Sequence, residues 1–146
     1  MIYCFYLFDR EGTCLYYEDW NRTKKLMGPA EEQRLIFGLL FSLKASVAQM
    51  RPPGGESKPA SDALHCYSTS SYKLHYFETA TSLKFLLLTD PGVPSLRECL
   101  RQVYSHIYVE FVVKNPLQAM GAPITCAYFV QELNKYVRGL PYFRSN

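Results

Sequence analysis

Seven apolar or aromatic residues, Ile2 to Phe8, run before the first charge of the chain. A strand with one wet face alternates apolar and polar residues, and this segment does not. The pattern predicts a strand buried on both faces. "DREG" (Asp9–Gly12) reads as a tight loop closed by a glycine, and Thr13–Tyr17 as the returning strand of a β-hairpin. A polar stretch from Glu18 to Lys25 leads to Gly28-Pro29 and the acidic pair Glu31-Glu32, a helix-start pattern. Leu35, Ile36, Leu39, Leu40, Leu43, Val47 and Met50 then recur at helical spacing, which predicts a first helix running to about Met50.

"RPPGGESKPASD" (Arg51–Asp62) is dense in Pro, Gly and Ser and reads as a surface loop inside a single domain spanning 1–146. Three short strands are expected next, at Leu64–Ser68, Tyr72–Glu78 and Leu83–Thr89. The last is again apolar on both faces: Leu83, Phe85 and Leu87 share one side, Leu86 and Leu88 the other. Ser95 and Glu98 form the pattern of a capping box before a second helix, with Leu96, Leu100, Val103, Ile107 and Phe111 in register. A third helix is expected from Thr125 to Arg138, with Phe129, Val130, Leu133 and Val137 facing inward and Gly139 and Pro141 as stop signals. The order is ββαβββαα. It predicts an α+β chain whose sheet is covered by one helix on one face and two on the other.

Composition narrows the function more by exclusion than by assignment. With 146 residues, 48% of them hydrophobic, the chain can bury roughly two-thirds of its unfolded surface. The formal charge is +3 and its basic residues are dispersed, which argues against a nucleic-acid binder. Five cysteines, Cys4, Cys14, Cys66, Cys99 and Cys126, form no CxxC motif, and no secretory signal precedes them; reduced thiols in a cytosolic protein are expected. Apolar runs such as "LKFLLL" are far shorter than the ~20 residues that cross a bilayer. Phosphate-cradling glycine loops, HExxH, GxSxG and EF-hand patterns are all lacking. His65, His75 and His106 are isolated, and neither they nor the cysteines make a nucleophile–base pair by spacing. No cofactor, metal or catalytic residue is assigned.

The first helix gives the sharper clue. Projecting Leu35, Leu39, Leu43 and Val47 inward places Phe37 and Phe41 on the opposite side, near Gly38, Ala45 and Ala48 and alongside Arg34 and Lys44. Aromatic rings on a face that should be solvated predict a partner-binding surface of Phe37, Phe41, Lys44 and Ala48. The tail "LPYF" (Leu140–Phe143) is a second candidate, or else folds back onto the domain.

"YLFDREGTCLYYEDWNR", "YKLHYFETATSLKFLLLTDPGV", "YVEFVVKNPL" and "YVRGLPYF" resemble, in order and over nearly the whole chain, the sedlin- and synbindin-related longin-fold subunits of the TRAPP vesicle-tethering particle, the smallest of them above all. The resemblance implies a five-stranded antiparallel longin-like sheet. It also implies a non-catalytic core subunit in transport between endoplasmic reticulum and Golgi, forming part of the platform for exchange on a Rab-type GTPase. The partners it implies are a synbindin-like longin subunit, the palmitate-carrying core subunit and, through the assembled particle, the GTPase. The location it implies is cytoplasmic, peripheral at endoplasmic reticulum and cis-Golgi membranes. Two other readings remain open: a longin-type small chain of a coat adaptor, and a small enzyme with Cys66 or Cys99 as thiol nucleophile.

Overall fold

The computed structural model describes residues 1–21, 28–50, 53–54, 64–119 and 121–144. The expected surface loop at 51–62 therefore lies outside the described residues, apart from Pro53 and Gly54. β1 (Ile2–Phe8) and β2 (Cys14–Asp19) form the opening hairpin. Its turn is closed by the Asp9 carboxylate, which accepts the Glu11 and Thr13 N–H groups at 3.0 and 2.8 Å, while Gly12 takes the left-handed φ of 89°. After α1 (Pro29–Gln49) come β3 (Cys66–Ser68), β4 (Lys73–Glu78) and β5 (Lys84–Thr89).

The five strands form one antiparallel sheet in the order β2-β1-β5-β4-β3. β1 and β5, the strands with apolar residues on both sides, lie next to each other inside it. Phe5, Leu7, Phe85 and Leu87 pack on one face with Leu100, Phe129, Leu133 and Val137 of the later helices. Cys4, Tyr6, Phe8, Leu74, Tyr76 and Leu86 pack on the other with Leu40 of α1. The sheet is covered on both sides, with one helix on one face and the remaining helical segments on the other, an α+β fold of longin-like form. That is why period-2 alternation is missing from β1: neither face meets water.

α2 (Arg97–Gln102) departs from its expected start. The N-cap is Leu96, without a side-chain cap, so the Ser95–Glu98 capping box does not form. The Leu96 N–H is taken by His75 Nδ1 from β4 at 3.2 Å, and the other ring nitrogen bonds Thr89 Oγ1 at 2.8 Å. Thr89 Oγ1 in turn donates to the Asp90 carbonyl, so His75 holds its proton on Nε2. Burial, helped by Lys73, pulls the His75 pKa down to about 4 and keeps the ring neutral. This histidine completes the structure by capping a helix from the sheet.

α2 continues into a π-helical segment, Val103–Val113, whose end shows the i→i+5 ladder in the Lys114 N–H to Val109 carbonyl bond of 3.1 Å. Its buried residues are Val103, Ile107, Tyr108 and Val112. They recur at four to five residues rather than three to four, so Val112 takes the inward place expected of Phe111, which is half-buried. The wider winding leaves Glu110 and Lys114 outside as an exposed ion pair of 2.9 Å. α3 (Ala127–Arg138) buries Phe129, Leu133 and Val137 as its spacing predicts.

Candidate functional site: the groove along α1

The sequence places a carboxylate where the helix enters the sheet face. Glu32, in the first turn of α1, is buried and accepts a hydrogen bond from the Tyr6 hydroxyl. A carboxylate there also suits the N-terminal end of the helix dipole. From that tether the inner stripe of α1 runs through Ile36, Leu40, Leu43 and Val47. Leu35 stays 56% exposed and leaves the inward set.

Phe37 is the principal correction. It does not point to solvent: it packs against Phe8 with ring centroids 5.8 Å apart and is half-buried. The cause is Gly12. A β-carbon at that hairpin position would stand 2.9 Å from the Phe37 ring, so the ring occupies the space a side chain would fill. The Lys84 ammonium lies 5.7 Å from the same ring's centroid, in cation–π range. Phe41, one turn on, is 72% exposed as the projection has it.

Phe37, Phe41, Lys44, Ala45, Ala48 and Lys84 surround a groove of about 260 Å³ with Leu40 at its floor. All four residues singled out in the sequence line it. They come together with Phe37 as a wall and Phe41 as the protruding ring. Lys84 and its partner Glu78 have no periodic signal; the β4–β5 register, which pairs Glu78 with Lys84, brings them in. Lys44 Nζ lies 2.8 Å from Glu78 Oε2 and Lys84 Nζ 3.7 Å from Glu78 Oε1. Burial pulls the Lys84 pKa down, and the Glu78 carboxylate works against that shift. The triad ties the middle of α1 to the turn end of β4 and β5.

A second apolar hollow, of about 510 Å³, lies on the other side of the sheet where the π-helical segment meets α3. Phe111 stacks on Tyr128 there, with centroids 6.4 Å apart, and Tyr128, Leu117 and Val113 are exposed. The sequence reading assigned no binding role to these residues. The available signal was Leu117, an apolar side chain in the polar turn after Asn115-Pro116. The "LPYF" tail folds back: Phe143 meets Trp20 edge to face at 6.4 Å, and the Trp20 indole N–H bonds Asn134 at 2.5 Å.

Cys66 faces His75 across the β3–β4 pair, but both nitrogens of His75 are engaged. Burial pushes the Cys14 thiol up to about 11. Among the described residues, no group of His, Cys, Asp and Glu is placed to hold a metal ion, and no helix is long and apolar enough to cross a membrane.

Comparison with known proteins agrees with this architecture. The Sybindin-like family model matches residues 2–140. The chain is 46% identical over 145 residues to trafficking protein particle complex subunit 1 of Dictyostelium discoideum, covering 99% of this chain and 100% of that one. It is 44% identical over 139 residues to the human subunit of the same name, covering 94% and 92%. Subunit 4 of the Dictyostelium discoideum particle is 31% identical over 131 residues, covering 89% and 91%. The two-faced sheet, its helical cover and these full-length likenesses agree: the chain belongs to the Sybindin-like family.

Proposed function

We propose that this chain is a non-catalytic core subunit of a TRAPP-like vesicle-tethering complex, acting in transport between endoplasmic reticulum and Golgi. The observation that carries the reading is the full-length likeness to subunit 1 of the trafficking protein particle in organisms as distant as Dictyostelium and human. The exposed aromatic groove on α1 supports it, since a protruding Phe41 beside a 260 Å³ apolar groove is a surface that water covers at a cost. The second hollow, on the opposite face, fits a subunit held between two neighbours. In this reading the neighbours are a synbindin-like longin subunit and the palmitate-carrying core subunit. The chain works on cytoplasmic membrane faces of the endoplasmic reticulum and cis-Golgi through the particle. Its contribution to a Rab-type GTPase is surface: the assembled complex stimulates nucleotide release, and this chain supplies part of the platform.

The test is nucleotide release from the Rab-type GTPase of the same organism, measured with the reconstituted particle, the particle lacking this chain, and the chain alone. The reading expects fast release only from the full particle. Equal rates with and without the chain, or activity from the chain by itself, would count against it.

A further inference from the structure

The outer face of α1 carries Leu35, Gly38, Phe41, Ala45 and Ala48, all exposed. The last four are spaced three, four and three residues apart. That is the repeat of a seam that takes another helix, with small residues around one large knob. Among the described residues, the groove beside it offers an arriving chain no backbone partner. β4 lies between β3 and β5, and β5 between β4 and β1, so neither has a free edge for a strand to join. An extended segment laid over Phe37, Phe41, Ala45 and Ala48 would bury its own N–H and C=O groups unpaired, whereas a helix satisfies them internally.

Charge selects further. One buried carboxylate, Glu78, serves two ammoniums, Lys44 and Lys84. Asp9 adds a weaker negative field on the Lys84 side. Lys84 is closed in, with 9% of its side chain exposed against 25% for Lys44, so the unbalanced positive charge presents itself at Lys44.

We propose that the α1 groove takes an amphipathic helix of a partner subunit, seated over Phe41, Ala45 and Ala48 and setting a carboxylate on the Lys44 ammonium. This deepens the assignment above and rests on it, since the partner is a subunit of the same particle. Phe41 is the anchor, Phe37 is a wall fixed by Gly12, and Lys44 reads the charge.

The probe is the particle reconstituted from the other subunits of the same organism. Phe41→Ala should weaken incorporation of the chain by about 30-fold or more, as removal of a central anchor does. Ala45→Trp, which fills the seam from an exposed position, should do the same and covers any unforeseen fold defect of the first variant. Lys44→Met should cost roughly 5-fold and flatten the salt dependence of incorporation. A zero-length carbodiimide cross-link should join Lys44 to an Asp or Glu in a helix of another subunit. Incorporation at wild-type affinity by Phe41→Ala and Ala45→Trp would overturn the inference while leaving the subunit assignment standing, as would cross-links from Lys44 that reach only Glu78 or a carboxylate on a strand. Failure of the wild-type chain to enter the particle would bring down both.

Discussion

Phe37 and Phe41 stand one helical turn apart in surroundings that differ enough to be told apart in the isolated chain. Fully buried Phe→Ala changes cost about 3–5 kcal/mol. Phe37 is half-buried, so about 2 kcal/mol is expected for its contacts with Phe8 and the bare face of Gly12. Losing the Lys84 ammonium over the ring adds about 0.5 kcal/mol. Alanine recovers about 0.5 kcal/mol of helix propensity at either position. Phe37→Ala should therefore lose about 2 kcal/mol, or roughly 4–8 °C of midpoint in a chain of this size. Phe41, 72% exposed, has little packing to lose, and Phe41→Ala should fall within about 0.5 kcal/mol of wild type. Urea unfolding followed by circular dichroism reads both values, provided the slope is unchanged. Equal losses at the two positions, or a larger loss at Phe41, would refute the assignment of Phe37 as wall and Phe41 as free anchor.

Further outcomes follow from the same contacts. Gly12→Ala should cost about 2 kcal/mol, from a φ of 89° and a β-carbon driven to 2.9 Å from the Phe37 ring; combined with Phe37→Ala, the loss should be less than the sum of the two single losses by about 0.5 kcal/mol or more. His75 binds a proton in the unfolded chain below its ordinary pKa of 6.5 and in the folded chain only below about 4, so stability is full above pH 6.5 and falls as pH drops toward 4; the loss is about 3 kcal/mol, and His75→Gln should flatten that part of the stability–pH curve. In the π-helical segment Val112→Ala should cost about 1.5 kcal/mol by denaturant melts and Glu110→Ala close to nothing; a negligible loss at Val112 would mean ordinary α winding, which turns Phe111 inward in its place.

Much of the fold was legible because its strongest signals are local. The apolar runs of β1 and β5, the Asp9–Gly12 turn and the 3.6-residue repeat of α3 each announce their element and its burial. What sequence spacing missed was set by contacts across the sheet. The face of α1 is fixed by Tyr6 holding Glu32 and by the missing side chain at Gly12, so a polar residue is inward and Leu35 is outward. The start of α2 is capped by His75, 21 residues away, which no local capping pattern anticipates. The π winding of Val103–Val113 moves Val112 into the place a 3.6-residue projection gives to Phe111. The candidate groove was legible in its four named residues, but not in the Lys84–Glu78 wall that only strand register assembles.

Membership of this chain in a larger particle is tested most directly by native mass spectrometry of the mixed, purified subunits. The expected spectrum is a stoichiometric complex containing one or more copies of the wild-type chain, from which Phe41→Ala is largely missing at the same concentrations. A spectrum showing the wild-type chain only as a free monomer beside an otherwise complete particle would contradict it.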